Sequence, residues 1–355
     1  MKAIFSPGPS FSDPEVRKHA GWVHIFDLYK KGLEELGYDV FIPSINEQVL
    51  DTTCTVSKIL SYDLFAAQQM PDNADLFLGP PGYSVAQMMK LGNRVKKFLF
   101  VFNNADWWRD KQLEQEYKDQ NAFYDMSQSW RWINKTALLK CDHVISCSPW
   151  VQWTHAEVVG KDKVSIAFWG VDSEKFHPGP EEPPGFNVLF VGGDPIRKGL
   201  KYLVEGLPFP LETHGIELWI AGGDFFYRVE GVRQFGMVPH DQMPGIMQQC
   251  HVICIPTLED GIALAIQEGM ACGLVPITSP ETAEVFDDEV SGFKVGYRDA
   301  FDIHKRIIQL RDDSQLRRTM SQEARNKAVS QPWSMTKEQF KRIIQEKMEL
   351  WGGYD

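Results

Sequence analysis

The chain has 355 residues, 43% of them hydrophobic and 24% charged, the balance of an ordinary soluble globular protein with room for about two domains. Its formal net charge of −11 argues against a general nucleic-acid binder, which needs a basic face. Six cysteines (Cys54, Cys141, Cys147, Cys250, Cys254, Cys272) stand far apart with no C-x-x-C pair, so they read as reduced core thiols in a cytosolic protein without a metal site.

The N-terminus breaks at Ser6-Pro7-Gly8-Pro9, too soon for a signal peptide. No apolar run approaches the roughly 18 residues of a membrane span, so any membrane contact is expected to be peripheral. Lys2–Phe5 reads as a short strand, residues 22–36 as a helix and 37–43 as the next strand. Strand patterns at 75–78, 97–102 and His143–Ser146 continue the series. The second half repeats it at Asn187–Val191, Glu217–Ala221, 232–235, 251–255 and Val275–Thr278. This alternation predicts an α/β, doubly wound architecture with mostly parallel sheets. Pro178-Gly179-Pro180-Glu181-Glu182-Pro183-Pro184-Gly185 continues neither helix nor strand and reads as the linker between halves. Pro332-Trp333 predicts a kink, and residues 335–351 a final amphipathic helix. Trp107, Trp108, Trp130, Trp132, Trp150 and Trp153 crowd the first half, where they suit either sugar-ring platforms or core packing. Ser148, before Pro149, reads as a helix cap rather than a nucleophile.

The stretch from His251 to Gly273 carries the most chemistry. A buried-strand pattern ends at Pro256, an acidic residue and a glycine follow, and then comes a helix apolar nearly all round. Gln267 and Glu268 are the polar residues inside it, and a carboxylate there needs a polar partner, which a hydroxyl-rich ligand would supply. The loop also aims free N–H groups and a helix dipole at one spot, which suits a phosphate. No G-x-G-x-x-G with a downstream ribose acid occurs, which counts against a dehydrogenase.

Pro256-Thr257-Leu258-Glu259-Asp260-Gly261-Ile262-Ala263-Leu264, followed by Glu268-Gly269-Met270-Ala271-Cys272-Gly273, resembles the signature of retaining glycosyltransferases of the GT-B fold, the group 1 or family 4 set. In that pattern Asp260 stands where a Glu is usual, eight positions before Glu268. Gly170-Val171-Asp172 through Phe176 and Pro178 is similar to the G-V-D-x-x-x-F-x-P that precedes the family's second domain. The resemblance implies two Rossmann-like doubly wound domains facing across a cleft. Residues 1–178 would form the acceptor-side domain, 179–332 the nucleotide-sugar domain, and 333–355 a helix returning to the first.

The resemblance further implies that Asp260 holds donor-sugar hydroxyls, that Glu268 holds the ribose, and that Gly261, Ile262, Ala263 and Leu264 offer backbone amides to the diphosphate. Lys198-Gly199 matches the family's K-G, so Lys198 would clamp the diphosphate. Gly193 stands where the partner Arg is usual, and Arg197 is the nearby candidate to replace it. Backbone at Met237 and Val238 would line the nucleobase pocket. In the first domain Gly21 falls at the family's glycine-rich turn. The family's usual His is missing, leaving Asn104 or Asn103 to bond the donor sugar, with Asp106 and Arg109 on a loop facing the cleft.

The implied activity is cytoplasmic, retaining transfer of a hexosyl group from a UDP- or GDP-sugar to a saccharide or glycolipid acceptor, with no cofactor or metal. Two rivals accompany it. A non-catalytic GT-B-like sugar-binding subunit is suggested by the missing Arg and His; a nucleotide-sugar epimerase would convert donor without acceptor. A phosphorylase would require a pyridoxal-phosphate lysine and a much longer chain.

Overall fold

The structure, a computed structural model, describes residues 1–8, 18, 23–44, 55–124, 127–223 and 230–352. The chain divides into two compact units. Unit 1 comprises Met1–Asp110, Tyr124–Phe168 and Ser334–Asp355; unit 2 comprises Lys111–Phe123 and Trp169–Trp333. The proline-rich segment from residue 178 is therefore not where the chain leaves unit 1. The preceding residues are already tied into unit 2, with the Trp169 carbonyl accepting Gln267 Nε2 at 2.8 Å and Val171 bridging to Pro332. Gly170 allows this approach, since a Cβ there would lie 2.5 Å from the Gln331 carbonyl oxygen.

Unit 1 is built on six parallel strands: β1 (Lys2–Phe5), β2 (Asp39–Phe41), β3 (Leu76–Gly79), β4 (Lys96–Val101), β5 (His143–Ser146) and β6 (Val164–Ile166). Their order is β2-β1-β3-β4-β5-β6. Phe98-Leu99-Phe100-Val101 is buried without alternation, as expected for a parallel strand covered on both faces. Phe26 and Tyr29, from the helix His24–Glu35, pack on Phe100 with ring centroids at 5.6 and 5.8 Å. The terminal helix Trp333–Gly352 adds Phe340, stacked on Tyr29 at 4.3 Å. Gly32 permits that contact, because a Cβ there would sit 2.9 Å from the Phe340 ring.

Unit 2 has a second parallel sheet: β7 (Asn187–Val191), β8 (Glu217–Ala221), β9 (Val232–Gln234), β10 (Val252–Ile255), β11 (Val275–Thr278) and β12 (Phe293–Lys294). The order β9-β8-β7-β10-β11-β12 reverses direction between β7 and β10. In doubly wound sheets ligands bind beyond the carboxyl ends of strands at such a reversal. Strands β6 and β12, of three and two residues, lie outside the strand patterns read from the sequence. Among the described residues no helix is long and apolar enough to cross a membrane.

Candidate functional site

The loops after β7 and β10 meet at the reversal point of unit 2. Leu258 N–H donates to the Arg197 carbonyl at 2.8 Å, and Thr257 Oγ1 donates to the same oxygen at 3.1 Å. Gly199 turns the first loop with φ of 72°, and a Cβ there would lie 2.1 Å from the Pro256 carbonyl oxygen. Only glycine satisfies both conditions.

This stitching brings two motifs separated by 62 positions onto one carboxylate. Lys198 Nζ donates to, and forms an ion pair with, Asp260 Oδ2. Arg197 Nη1 lies 3.6 Å from Asp260 Oδ1 and donates to the Glu259 carbonyl at 3.1 Å. Burial alone would raise the Asp260 pKa, but Lys198 and then Arg197 outweigh it and hold the carboxyl below its ordinary value. Burial lowers Lys198 against the pull of Asp260, with the like charge of Arg197 acting in the same direction as burial. Arg197 stays firmly charged: burial opposes it, but Asp260, Glu259 and Asp194 prevail.

Four supporting residues escaped the sequence reading. Asp194 Oδ1 accepts the Arg197 N–H at 3.1 Å, its carbonyl accepts the Lys198 N–H at 3.0 Å, and Oδ2 accepts the Tyr117 hydroxyl. Glu281, after β11, accepts the Asp260 N–H at 2.8 Å and the Tyr297 hydroxyl at 2.9 Å. An acid just past a buried strand was a signal for Glu281; nothing local marked Tyr117, which comes from a distant stretch of chain.

The glycine-rich part of the loop is more self-contained than a bare amide cradle. Gly261 N–H donates to Asp260 Oδ1 at 3.0 Å, and Leu264 N–H to the Ile262 carbonyl at 3.0 Å. Ile262 and Ala263 are buried beside them. Glu268, on the helix Leu264–Ala271, has the polar partner that its neighbours in sequence do not supply: His240 Nε2 lies 2.6 Å from Oε1. Lys175 Nζ in turn lies 2.9 Å from His240 Nδ1. Met237 is exposed and its sulfur accepts the Gly223 N–H at 3.2 Å, with Val238 half-buried next to it.

Unit 1 has a cavity of about 110 Å³ at the ends of β3 and β4, lined by Tyr83, Asn104, Asp106, Arg109, Trp130 and His155 among others. Asp106 and Arg109 are not on a loop. They occupy the first turn of the helix Asp106–Asp119, because the Ala105 carbonyl accepts both the Trp108 and Arg109 N–H groups immediately after the strand. Asn134 Nδ2 donates to Asp106 Oδ1 and Oδ2 at 3.2 and 3.1 Å. Burial nevertheless pushes the Asp106 carboxyl up to about 6, with Asp110 adding to the shift. Burial also pushes His155 down to about 4, so its ring is neutral near pH 7. Asn104 is buried at the cavity, and Asn103 also lines it. Gly21 lies outside the described residues.

Trp107, Trp108, Trp150 and Trp153 form an edge-to-face cluster with centroids as close as 5.4 Å, in which Trp108 is buried while Trp107 and Trp153 are exposed. Trp130 lines the cavity and Trp132 is exposed. Ser148 caps its helix, accepting the Val151 N–H at 3.3 Å.

This architecture is the GT-B fold of glycosyltransferases. Sucrose-phosphate synthase from Thermosynechococcus elongatus superposes with a TM-score of 0.77 at 15% identity, covering 99% of this chain and all of that one. Anabaena HepE in complex with UDP-glucose superposes with a TM-score of 0.65 at 14% identity, covering 98% of this chain and 100% of that one. Residues 185–313, which hold the Lys198–Asp260 site, match the family model described as glycosyl transferases group 1. Among curated relatives, the amylovoran biosynthesis glycosyltransferase AmsK of Erwinia amylovora is 24% identical over 280 residues, covering 69% of this chain and 63% of AmsK. The GDP-mannose:cellobiosyl-diphosphopolyprenol alpha-mannosyltransferase of Xanthomonas campestris is 28% identical over 169 residues, covering 43% of this chain and 44% of that enzyme. The chain thus spans less than two thirds of the length of either relative.

Proposed function

We propose that this protein is a nucleotide-sugar-dependent glycosyltransferase that moves a hexosyl group, with retention, from a UDP- or GDP-sugar to a saccharide or lipid-linked acceptor. The observation that carries the reading is the convergence of Lys198 and Arg197 on Asp260 where the unit 2 sheet reverses. Two cations at that place suit a diphosphate, and an ammonium with three donors can hold Asp260 and a phosphate oxygen together. Charge developing on the departing diphosphate would be stabilised by the same groups. Arg197 takes the part of the arginine absent at Gly193. Asp260 then meets the donor sugar, Glu268 the ribose, the Gly261–Leu264 loop the phosphates and the Met237-Val238 backbone the base. The names of the curated relatives and the UDP-glucose complex of HepE support a sugar nucleotide as co-substrate.

The unit 1 cavity is the proposed acceptor side. Asn104 is proposed to bond the donor sugar from this side, Asp106 offers an acid for acceptor hydroxyl groups, and Tyr83 and Trp130 offer ring surface. A cytoplasmic setting with only peripheral membrane contact belongs to the same proposal. The reading is tested by a thermal-shift panel of UDP-, GDP-, ADP- and dTDP-sugars, followed by product analysis with saccharide and polyprenyl-linked acceptors. A donor at 100 times its Kd should stabilise the fold by about 2.7 kcal/mol. No shift with any donor removes the proposal. Donor binding without turnover favours the non-catalytic subunit that Gly193 and Asn104 suggest, and conversion of donor without acceptor favours an epimerase.

A further inference from the structure

The chain Lys175–His240–Glu268 ends on the carboxylate proposed to hold the donor's ribose, apart from the groups proposed for the diphosphate. Its hydrogen-bond directions follow from the groups themselves. A lysine ammonium can only donate, so at 2.9 Å from Lys175 Nζ the His240 Nδ1 is the acceptor. The ring proton of the neutral imidazole is then on Nε2, from which it is donated to Glu268 Oε1 at 2.6 Å. Phe176 holds the ring from another side, with centroids 5.3 Å apart. Two segments far from Glu268 in sequence therefore fix its carboxylate. Oε1 is engaged by His240, and the orientation of Oε2 is set by the same bond.

We infer that His240 is the positioning residue through which the site selects a ribose over a deoxyribose. The inference rests on the proposed placing of the ribose at Glu268. A carboxylate only accepts hydrogen bonds, so its natural ligand is a pair of neighbouring hydroxyls that donate. A carboxylate free to turn about its side-chain torsions can follow one hydroxyl as easily as two. One pinned by His240 presents its acceptor sites in a single direction, and a ligand lacking one hydroxyl leaves an acceptor desolvated and unmet. Lys175 acts one step further out, by keeping the imidazole in the tautomer that donates to Glu268.

The test compares the binding of UDP and GDP with that of their 2′-deoxy forms by calorimetry. The proteins are the parent, His240→Phe, His240→Gln and Lys175→Met, all as the full chain. The parent is expected to prefer the ribonucleotide by at least about tenfold, the value of one hydrogen bond to a charged group. His240→Phe keeps a ring against Phe176 but donates nothing, and should bind both forms within roughly threefold of each other. His240→Gln, whose amide can still donate, should restore most of the preference, and Lys175→Met should lose part of it. His240→Phe discriminating as the parent does would overturn the inference. So would a parent that binds nucleoside diphosphates without discriminating, although the glycosyltransferase reading would survive that result. A parent that binds no nucleoside diphosphate overturns both. If His240→Phe does not fold, an undiminished preference in Lys175→Met overturns the inference by itself.

Discussion

Two aspartates occupy the same topological place in the two units and have opposite electrostatics. Asp106 follows the end of β4 by five residues, and Asp260 follows the end of β10 by five. Each strand is the fourth of its own six-stranded parallel sheet. Asp106 meets an amide, Asn134, and burial pushes it up to about 6. Asp260 is more deeply buried, yet Lys198 and Arg197 overcome that burial and hold it below its ordinary value. The scaffold delivers an acid to a strand end in both units. The loop of the neighbouring strand decides whether that acid keeps its charge.

The largest way to break the comparison is to remove the cation. Lys198→Ala should reduce kcat/KM by about 100-fold or more for every donor that shares the diphosphate, whatever its sugar. Side-by-side kinetics at fixed acceptor checks this, and a loss within about twofold would place the diphosphate elsewhere. Asp260→Asn makes the unit 2 site resemble that of unit 1. Turnover of the sugar nucleotide should fall about 10- to 150-fold. The bare diphosphate should bind at least as tightly as before, because Lys198 and Arg197 no longer have a competing anion. Parallel losses for both ligands would remove Asp260 from the sugar.

A smaller effect is expected in unit 1. The folded-state pKa of Asp106 is raised, so the fold favours the neutral acid, and that contribution is lost as pH rises through about 6. Asp106→Asn should therefore stabilise the protein by about 1–2 kcal/mol at pH 7.5, with the gain vanishing as pH falls toward about 4. Denaturant titrations at the two pH values decide it; an equal gain at both would mean packing rather than charge. The smallest effect belongs to Arg197→Ala. It should lower kcat/KM in the same donor-independent way as Lys198→Ala but only by roughly tenfold, since Lys198 retains the shorter contact to Asp260. A loss specific to one sugar would assign Arg197 to the hexose instead.

Much of this was legible in the chain itself. Alternating apolar runs and helical patterns determine the doubly wound α/β class, because strands buried on both faces cannot alternate and must be covered by the helices between them. Ser148 marks its helix cap by local backbone chemistry alone. Lys198 and Asp260, at the ends of β7 and β10, stood out in the sequence through the resemblance of Lys198-Gly199 and of the Asp260–Glu268 pair to the glycosyltransferase motif. Pairing was beyond local reading. That Lys198 rests on Asp260, that His240 reaches Glu268, and that Tyr117 bonds Asp194 all depend on strand order and loop stitching over long separations in sequence. The same holds for the start of the helix at Asp106, settled by the carbonyl of Ala105, and for the division of the chain at Phe168 rather than at the proline-rich linker. Sequence determines which groups exist and which local shapes they favour; the electric field each group experiences is a sum over neighbours that only the tertiary fold brings within a few ångströms.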